Sequence, residues 1–149
     1  MKYLRGMTVR VKTGMSKYAG TDDYMYIGVS GTEGGREFPL DVKWFDDFER
    51  GSEVNYALGD VWDEEALVGA RRPRMGETDW NDPKLFYVGI DGIDRVYLRK
   101  HSGRDDDYQL DRIEVVLYGD DRTRRTFTSA TAVWLGLRYG LQVWIPEKR

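Results

Sequence analysis

Apolar side chains recur along this chain at every second position far more often than at helical spacing, the signature of half-buried strands. Met7, Val9 and Val11 fall on one side of the segment 7–13, with Thr8, Arg10 and Lys12 on the other. The same alternation, or short β-branched and aromatic runs, predicts further strands over 24–30, 35–40, 53–58, 93–100, 109–118, 123–128 and 141–145. Gly31-Thr32-Glu33-Gly34-Gly35 reads as a hairpin connection, and Gly119-Asp120-Asp121-Arg122 as a turn. Short strands at this spacing, with few helical windows, predict an all-β fold: an antiparallel β-sandwich of about eight strands. Residues 59–91 break the rhythm. They hold Trp62, Leu67, Met75 and Trp80, and are expected to form an insertion, with one helical turn over 63–68 and an extra strand over 85–88. A connection of that length in a compact domain is either an insertion or a functional lid.

Composition narrows the function classes. A length of 149 residues suits one domain spanning 1–149. Without cysteine there is no disulfide, thiolate metal site or thiol nucleophile. Hydrophobic residues at 40% and charged residues at 33% describe a folded, wet-surfaced protein. The 26 acidic residues against 23 basic ones leave a net charge of -3, which argues against nucleic acid as a partner. No apolar run reaches the length of a spanning helix, and the N-terminus lacks the apolar core of a signal peptide. A cytoplasmic location is expected if Met1 is native, and a secreted one if the chain is an excised domain.

Catalytic constellations are scarce. His101 is the single histidine, so a site built on two histidines is excluded. The nearest approach to a serine elbow, Gly28-Val29-Ser30-Gly31-Thr32, lacks the closing glycine. Neither glycine-rich phosphate-binding pattern occurs. What stands out is paired carboxylates: Asp22-Asp23, Asp46-Asp47, Asp105-Asp106-Asp107 and Asp120-Asp121. Aspartate is an ordinary turn former, and solvated loops account for any one pair. Strand order changes the argument. If consecutive strands run up and down, loops 13–22, 41–52, 101–108 and 129–140 share one end of the sandwich, whereas 31–35, 59–91 and 119–122 share the other. Three acidic groups then meet, and only Asp120-Asp121 is left out. Clustered carboxylates repel one another unless a cation neutralises them, and oxygen ligands from separate loops suit calcium.

Thr13-Gly14, the run Ala19-Gly20-Thr21-Asp22-Asp23-Tyr24-Met25-Tyr26, Asp47-Phe48-Glu49-Arg50-Gly51-Ser52, and Gly92-Ile93-Asp94 leading to Asp107-Tyr108-Gln109-Leu110-Asp111-Arg112-Ile113 resemble the PLAT (lipoxygenase-homology) domains. Trp134-Leu135 is in keeping with them, and the Gly-Thr-Asp-Asp-Tyr-Met-Tyr run is most similar to the C-terminal membrane-binding domains of clostridial alpha-toxins. The resemblance covers the chain except roughly 59–91. It implies an eight-stranded sandwich that binds Ca2+ in loops at one end and docks on a phospholipid membrane or a partner protein. Carried over residue by residue, it implies Gly20, Thr21 and Asp22 as first-loop calcium positions, glycine and threonine through backbone oxygen, with Asp46 and Asp47 in the second loop and Asp106 and Asp107 in the third. Lys43 and Phe45 depart from the toxin-like asparagine and glycine, and Tyr18 from an acidic residue, which implies fewer calcium sites than the toxins have.

Trp44, Phe45 and Trp134 fall on loops of the acidic end. Aromatics in a sandwich ordinarily pack in its core or along an edge. Exposed beside a calcium site, these three would be membrane or partner contacts, since Trp favours the headgroup boundary. Three function classes follow: a non-catalytic, calcium-dependent docking module; a small-molecule binder or small enzyme of the cyclase or isomerase type, with 59–91 as a lid lined by Trp62 and Trp80; and an interaction protein whose acidic loops bind no metal.

Overall fold

The computed structural model describes residues 1–42, 46–73, 81–102 and 106–149. Among them lie the strands β1 (Leu4–Thr13), β2 (Met25–Gly31), β3 (Gly34–Pro39), β4 (Glu53–Gly59), β5 (Ile93–Lys100), β6 (Tyr108–Gly119), β7 (Arg124–Ser129), β8 (Val133–Leu135) and β9 (Gln142–Trp144). One sheet runs β4-β1-β6-β7, with β8 also paired to β6; the other runs β3-β2-β5-β9. The pairings between these strands are antiparallel. The chain is therefore the all-β sandwich that the alternation predicts.

Register follows from which face is apolar. Val9 stands opposite both Tyr56 of β4 and Val115 of β6, and Ile27 stands opposite Phe38 of β3 and Leu98 of β5. These inward positions, with Met7, Val11, Val29, Val96, Ile113 and Leu117, form one buried core between the sheets. The solvent side of the second sheet is also ordered by cross-strand pairs. There the Tyr97 ring lies over Gly28, where a Cβ would come within 2.1 Å of it, and Arg99 binds Glu37 through two nitrogens at 2.7 and 2.9 Å.

Two local features differ from expectation, and a third is met. β8 is a strand inside the predicted loop 129–140, too short for its alternation to register. The extra strand expected over 85–88 is instead a 3₁₀ turn, Pro83–Leu85, capped by Asp82, after which Leu4 N–H donates to the Val88 carbonyl at 2.7 Å. Proline at the start of that turn removes a donor a strand would need. The helical turn expected at 63–68 is present as a 3₁₀ turn, Glu64–Leu67, capped by the Asp63 carboxylate.

The described parts of 59–91 lie along the sandwich. Arg71 forms a parallel bridge to Tyr56, with Ala57 and Arg71 both donating amide hydrogen bonds of 2.8 Å, so this segment covers the outer edge of β4. Phe86 packs on Phe38 at a ring separation of 6.3 Å. Open clefts of about 180 and 550 Å³ flank the segment, lined by Arg72 and Lys84 in both and by Arg5 and Trp62 in the larger. Met75 and Trp80 lie outside the described residues. No helix among the described residues is long and apolar enough to cross a membrane.

The alternation of connections between the two ends holds from β1 to β7 and breaks at β8, which runs in the same direction as β7 because both are antiparallel to β6. At one end Thr32 N–H donates to Gly92, Gly89 N–H to Glu33, and Tyr3 N–H to the Asp120 carboxylate. The loops after β1, β3 and β5 gather at the other.

Candidate functional site: the acidic loop end

The second loop is the foundation of this end. Phe48 adopts a left-handed backbone (φ 60°), and its ring is buried between Tyr56, stacked at 5.8 Å, and Tyr108, edge-on at 5.6 Å. Thr13 and Tyr108 share a buried hydroxyl–hydroxyl hydrogen bond of 2.7 Å beneath it. With Phe48 pinned, its carbonyl accepts from Thr21 N–H at 3.1 Å and draws the first loop across the second. Gly20 permits that approach: a Cβ there would stand 2.8 Å from the Arg50 nitrogen and 2.9 Å from the Phe48 oxygen. Gly51, at φ 71°, closes the second loop, and its N–H donates to the Gly14 carbonyl.

On this foundation Thr21, Asp22, Asp23, Asp41, Asp46 and Asp47 line one cleft of about 140 Å³. Asp22 and Asp46 are exposed; Thr21 and Asp23 are buried. Asp47 is half-buried and tied down on both oxygens, Oδ1 accepting from the Tyr56 hydroxyl at 2.6 Å and Oδ2 from Val42 N–H at 3.1 Å. Burial outweighs those bonds, and neighbouring Asp41 adds to it, so its pKa is pushed up to about 6. Burial, then the Asp47 carboxylate, raises the Tyr56 hydroxyl in turn. Among the described residues, Asp22, Asp41 and Asp46 have no basic partner.

The third loop joins the first through Asp106. Its Oδ2 accepts from the Thr21 hydroxyl at 2.8 Å and from Asp22 N–H at 3.3 Å. The Thr21 hydroxyl also accepts from Asp23 N–H at 3.1 Å, so this threonine works through its side chain as a bridge between loops. Asp107 turns elsewhere, toward Gly136, where a Cβ would come within 2.0 Å of its Oδ1. The structure thus brings Thr21, Asp22, Asp46 and Asp47 to one cleft with Asp106 beside it. It sets Gly20 beneath as a spacer and takes Asp107 away. Among the described residues, no three carboxylates or histidines stand close enough to hold a metal between their side chains alone.

Asp41 and Lys100 are members of this end that the sequence reading missed. Asp41 sits just past β3, outside any acidic pair. Lys100 had a signal, since it continues the inward series Val96, Leu98 on β5.

The rim of the site is apolar. Met15, Tyr18, Tyr24, Leu137 and Tyr139 are all more than half exposed, on the first loop and on the loop after β8. Trp134 is half-buried on β8, opposite Gln109, and stacks on Tyr139 at 6.0 Å. Trp44 and Phe45 lie outside the described residues. His101 is exposed and meets Tyr24 edge-on at 6.3 Å.

A β-sandwich with three loops gathered into an acidic, aromatic-rimmed end defines the class of molecule. The model of the PLAT/LH2 domain family matches residues 7–136, and the chain belongs to that family. Solved structures show the same fold. The alpha-toxin of Clostridium absonum superposes with a TM-score of 0.62 at 20% identity, over 96% of this chain and 31% of the toxin. Coral 8R-lipoxygenase, whose structure is described as showing calcium activation via a C2-like domain, gives 0.61 at 22% identity, over 97% of this chain and 17% of the enzyme. The alpha-toxin of Clostridium perfringens gives 0.51 at 24% identity, over 87% of this chain and 31% of the toxin. The chain therefore spans a third or less of each of these proteins.

Proposed function

We propose that this chain is a non-catalytic docking module that binds calcium in its acidic loop end and, with calcium bound, seats that end on a phospholipid surface. The observation that carries the reading is the pairing of features at one end: carboxylates without a basic partner among the described residues, one exposed tyrosine, Tyr24, lining their cleft, and Met15, Tyr18, Leu137 and Tyr139 exposed on loops of the same end. The donor chemistry fits a hard cation. Every polar side chain lining the cleft offers oxygen, with no imidazole or thiolate among them, and calcium accepts six to eight oxygens in flexible geometry. Asp22, Asp46 and Asp41 are the side chains with oxygens to give. Asp47, already satisfied by Tyr56 and Val42, shapes the cleft and adds charge; Thr21 and Gly20 hold the first loop in place, and Asp106 anchors it from the third. Asp107 has no part in this cleft. Backbone oxygens and water complete the shell. Bound there, calcium would set a positive charge among these carboxylates to face lipid phosphates.

Thermal unfolding in calcium and in chelator tests the reading. Binding to the folded state alone at about 100 times Kd adds about 2.7 kcal/mol, so the melting temperature rises by several degrees. Asp22→Ala with Asp46→Ala abolishes the rise while the apo protein still folds. Superimposable wild-type curves in calcium and chelator would sink the proposal.

A further inference from the structure

Lys100 is one of the largest fully buried side chains of the molecule, with 1% of its side chain exposed. It closes β5 with its side chain facing inward, between the two sheets at the loop end. Its Nζ donates to Asp23 Oδ2 at 2.9 Å and to the His101 carbonyl at 3.1 Å, and stands 3.4 Å from Asp106 Oδ1. Of the three N–H donors of the ammonium, Asp23 and the His101 carbonyl take two, and Asp106 Oδ1 lies at ion-pair distance without a hydrogen bond. Asp23 is equally secluded, with 4% of its side chain exposed, and Asp106 is partly open at 36%. Asp106 Oδ1 is buried with no hydrogen-bond partner among the described residues, and the Lys100 ammonium is the positive charge beside it.

A charge this deep persists only when its partners are ionised and its donors saturated, because desolvation of each ion is worth several kcal/mol. The partners come from different loops. Asp23 belongs to the first, where its N–H is held by Thr21; Asp106 belongs to the third and holds Thr21 and Asp22. One side chain therefore joins the two loops by the same electrostatics a bound cation would use. Asp23 also lines the cleft shared by Asp22, Asp41, Asp46 and Asp47, whereas Lys100 and Asp106 are not among the residues that line it.

We propose that Lys100 is a resident cation of the acidic end: it occupies the inner position between Asp23 and Asp106, locks the first and third loops without metal, and confines exchangeable calcium to the outer cleft. Only the last clause rests on the calcium reading above. The inner position is thereby closed to regulation by calcium, and the chain presents a half-assembled loop end at any calcium concentration.

The test is Lys100→Met, which keeps the length of the side chain and removes its charge, alongside the double variant Lys100→Met with Asp23→Asn. Each is melted in chelator and in calcium, and calcium stoichiometry is measured by titration calorimetry. In chelator Lys100→Met melts about 10 °C below wild type, since Asp23 and Asp106 stay in place without the ammonium between them. Calcium restores it with a shift larger than the wild type shows, and one additional ion binds per chain. A Lys100→Met protein unfolded in chelator and folded in calcium is the same result in stronger form. The double variant regains most of the lost melting temperature in chelator and does not bind the additional ion. The proposal is overturned if Lys100→Met binds no more calcium than wild type, stays unfolded in calcium, or is not rescued by Asp23→Asn. A wild type that ignores calcium beside a Lys100→Met that binds it would remove the outer-cleft reading and leave the assignment of Lys100 standing.

Discussion

Asp47 shows how one side chain can serve a fold and a site with opposing demands. Its hydrogen bonds from Tyr56 and Val42 fix the second loop, yet burial and Asp41 favour its protonated form and lift its pKa to about 6. A carboxyl whose pKa rises on folding stabilises the fold fully below its unfolded value of about 4, and that contribution is lost as pH climbs through about 6. Glu37 and Glu147 work the other way, held below the usual carboxylate range by hydrogen bonds from Arg99 and Arg125, so their contributions are lost as pH falls. The Asp47 contribution is isolated by difference. Wild type without metal loses stability relative to Asp47→Asn between about pH 4 and 6, as read from urea midpoints at each pH. A constant difference across that range would show that Asp47 does not titrate as the structure requires.

Strand edges are the weak points of any open sandwich, and this chain covers them with segments that are not strands. Arg71 backs the outer edge of β4. On the opposite flank, the chain leaves β9 with Ile145 N–H still donating to Val96 of β5, and residues 146–148 then pair with β7, where Thr128 N–H donates to Pro146 and Lys148 N–H to Thr126. Arg125 secures this tail. Its guanidinium donates to both Glu147 oxygens at 2.8 Å and to the carbonyls of Ile90 and Ile93 at 2.8 and 2.7 Å. Arg125→Met leaves those acceptors unpaired, which costs about 2–3 kcal/mol, and the melting temperature falls by several degrees. Hydrogen exchange at the Thr126 and Thr128 amides accelerates more than at β1. Uniform acceleration across both sheets would mean that the tail is not a separate latch.

At the scale of the whole molecule, the two ends differ in kind. The end with Asp120-Asp121 ties Asp120 internally to Tyr3 N–H and to Arg5 at 3.5 Å, whereas the loop end leaves Asp22, Asp41 and Asp46 without a basic partner among the described residues. A net charge of -3 opposes approach to an anionic bilayer, so the protein free of calcium should sediment poorly with phosphatidylserine vesicles. If the calcium reading holds, bound calcium offsets that repulsion at the acidic end and can bridge to lipid phosphates, and burying one aromatic side chain of that end adds roughly 1.5–3 kcal/mol. Vesicle sedimentation then rises with calcium and drops in Tyr18→Ser with Tyr139→Ser; Trp44→Ala with Phe45→Ala probes the neighbouring segment by the same assay. Equal sedimentation in chelator, falling with salt, would move the docking face to Arg5, Arg72 and Lys84 at the other end.

The sequence by itself determined the architecture, because the period of two along each strand and the turns between them leave one class of solution. Strand parity was legible as well. It placed the loops after β1, β3 and β5 together and Asp120-Asp121 apart, since antiparallel neighbours joined in order must alternate ends. The short motif around Phe48 and Gly51 was readable for the same reason: its backbone demands are local. Pairing across loops was not. Whether Asp107 faces the cleft or Gly136, whether Thr21 offers its carbonyl or its hydroxyl, and which charge lies against Lys100 depend on side-chain directions set by residues about 80 positions away in sequence. The inward place of Lys100 could be read from Val96 and Leu98, but not the partners that make its burial tolerable. Those exist only once the first and third loops are folded against each other, because a buried charge is defined by what surrounds it in space.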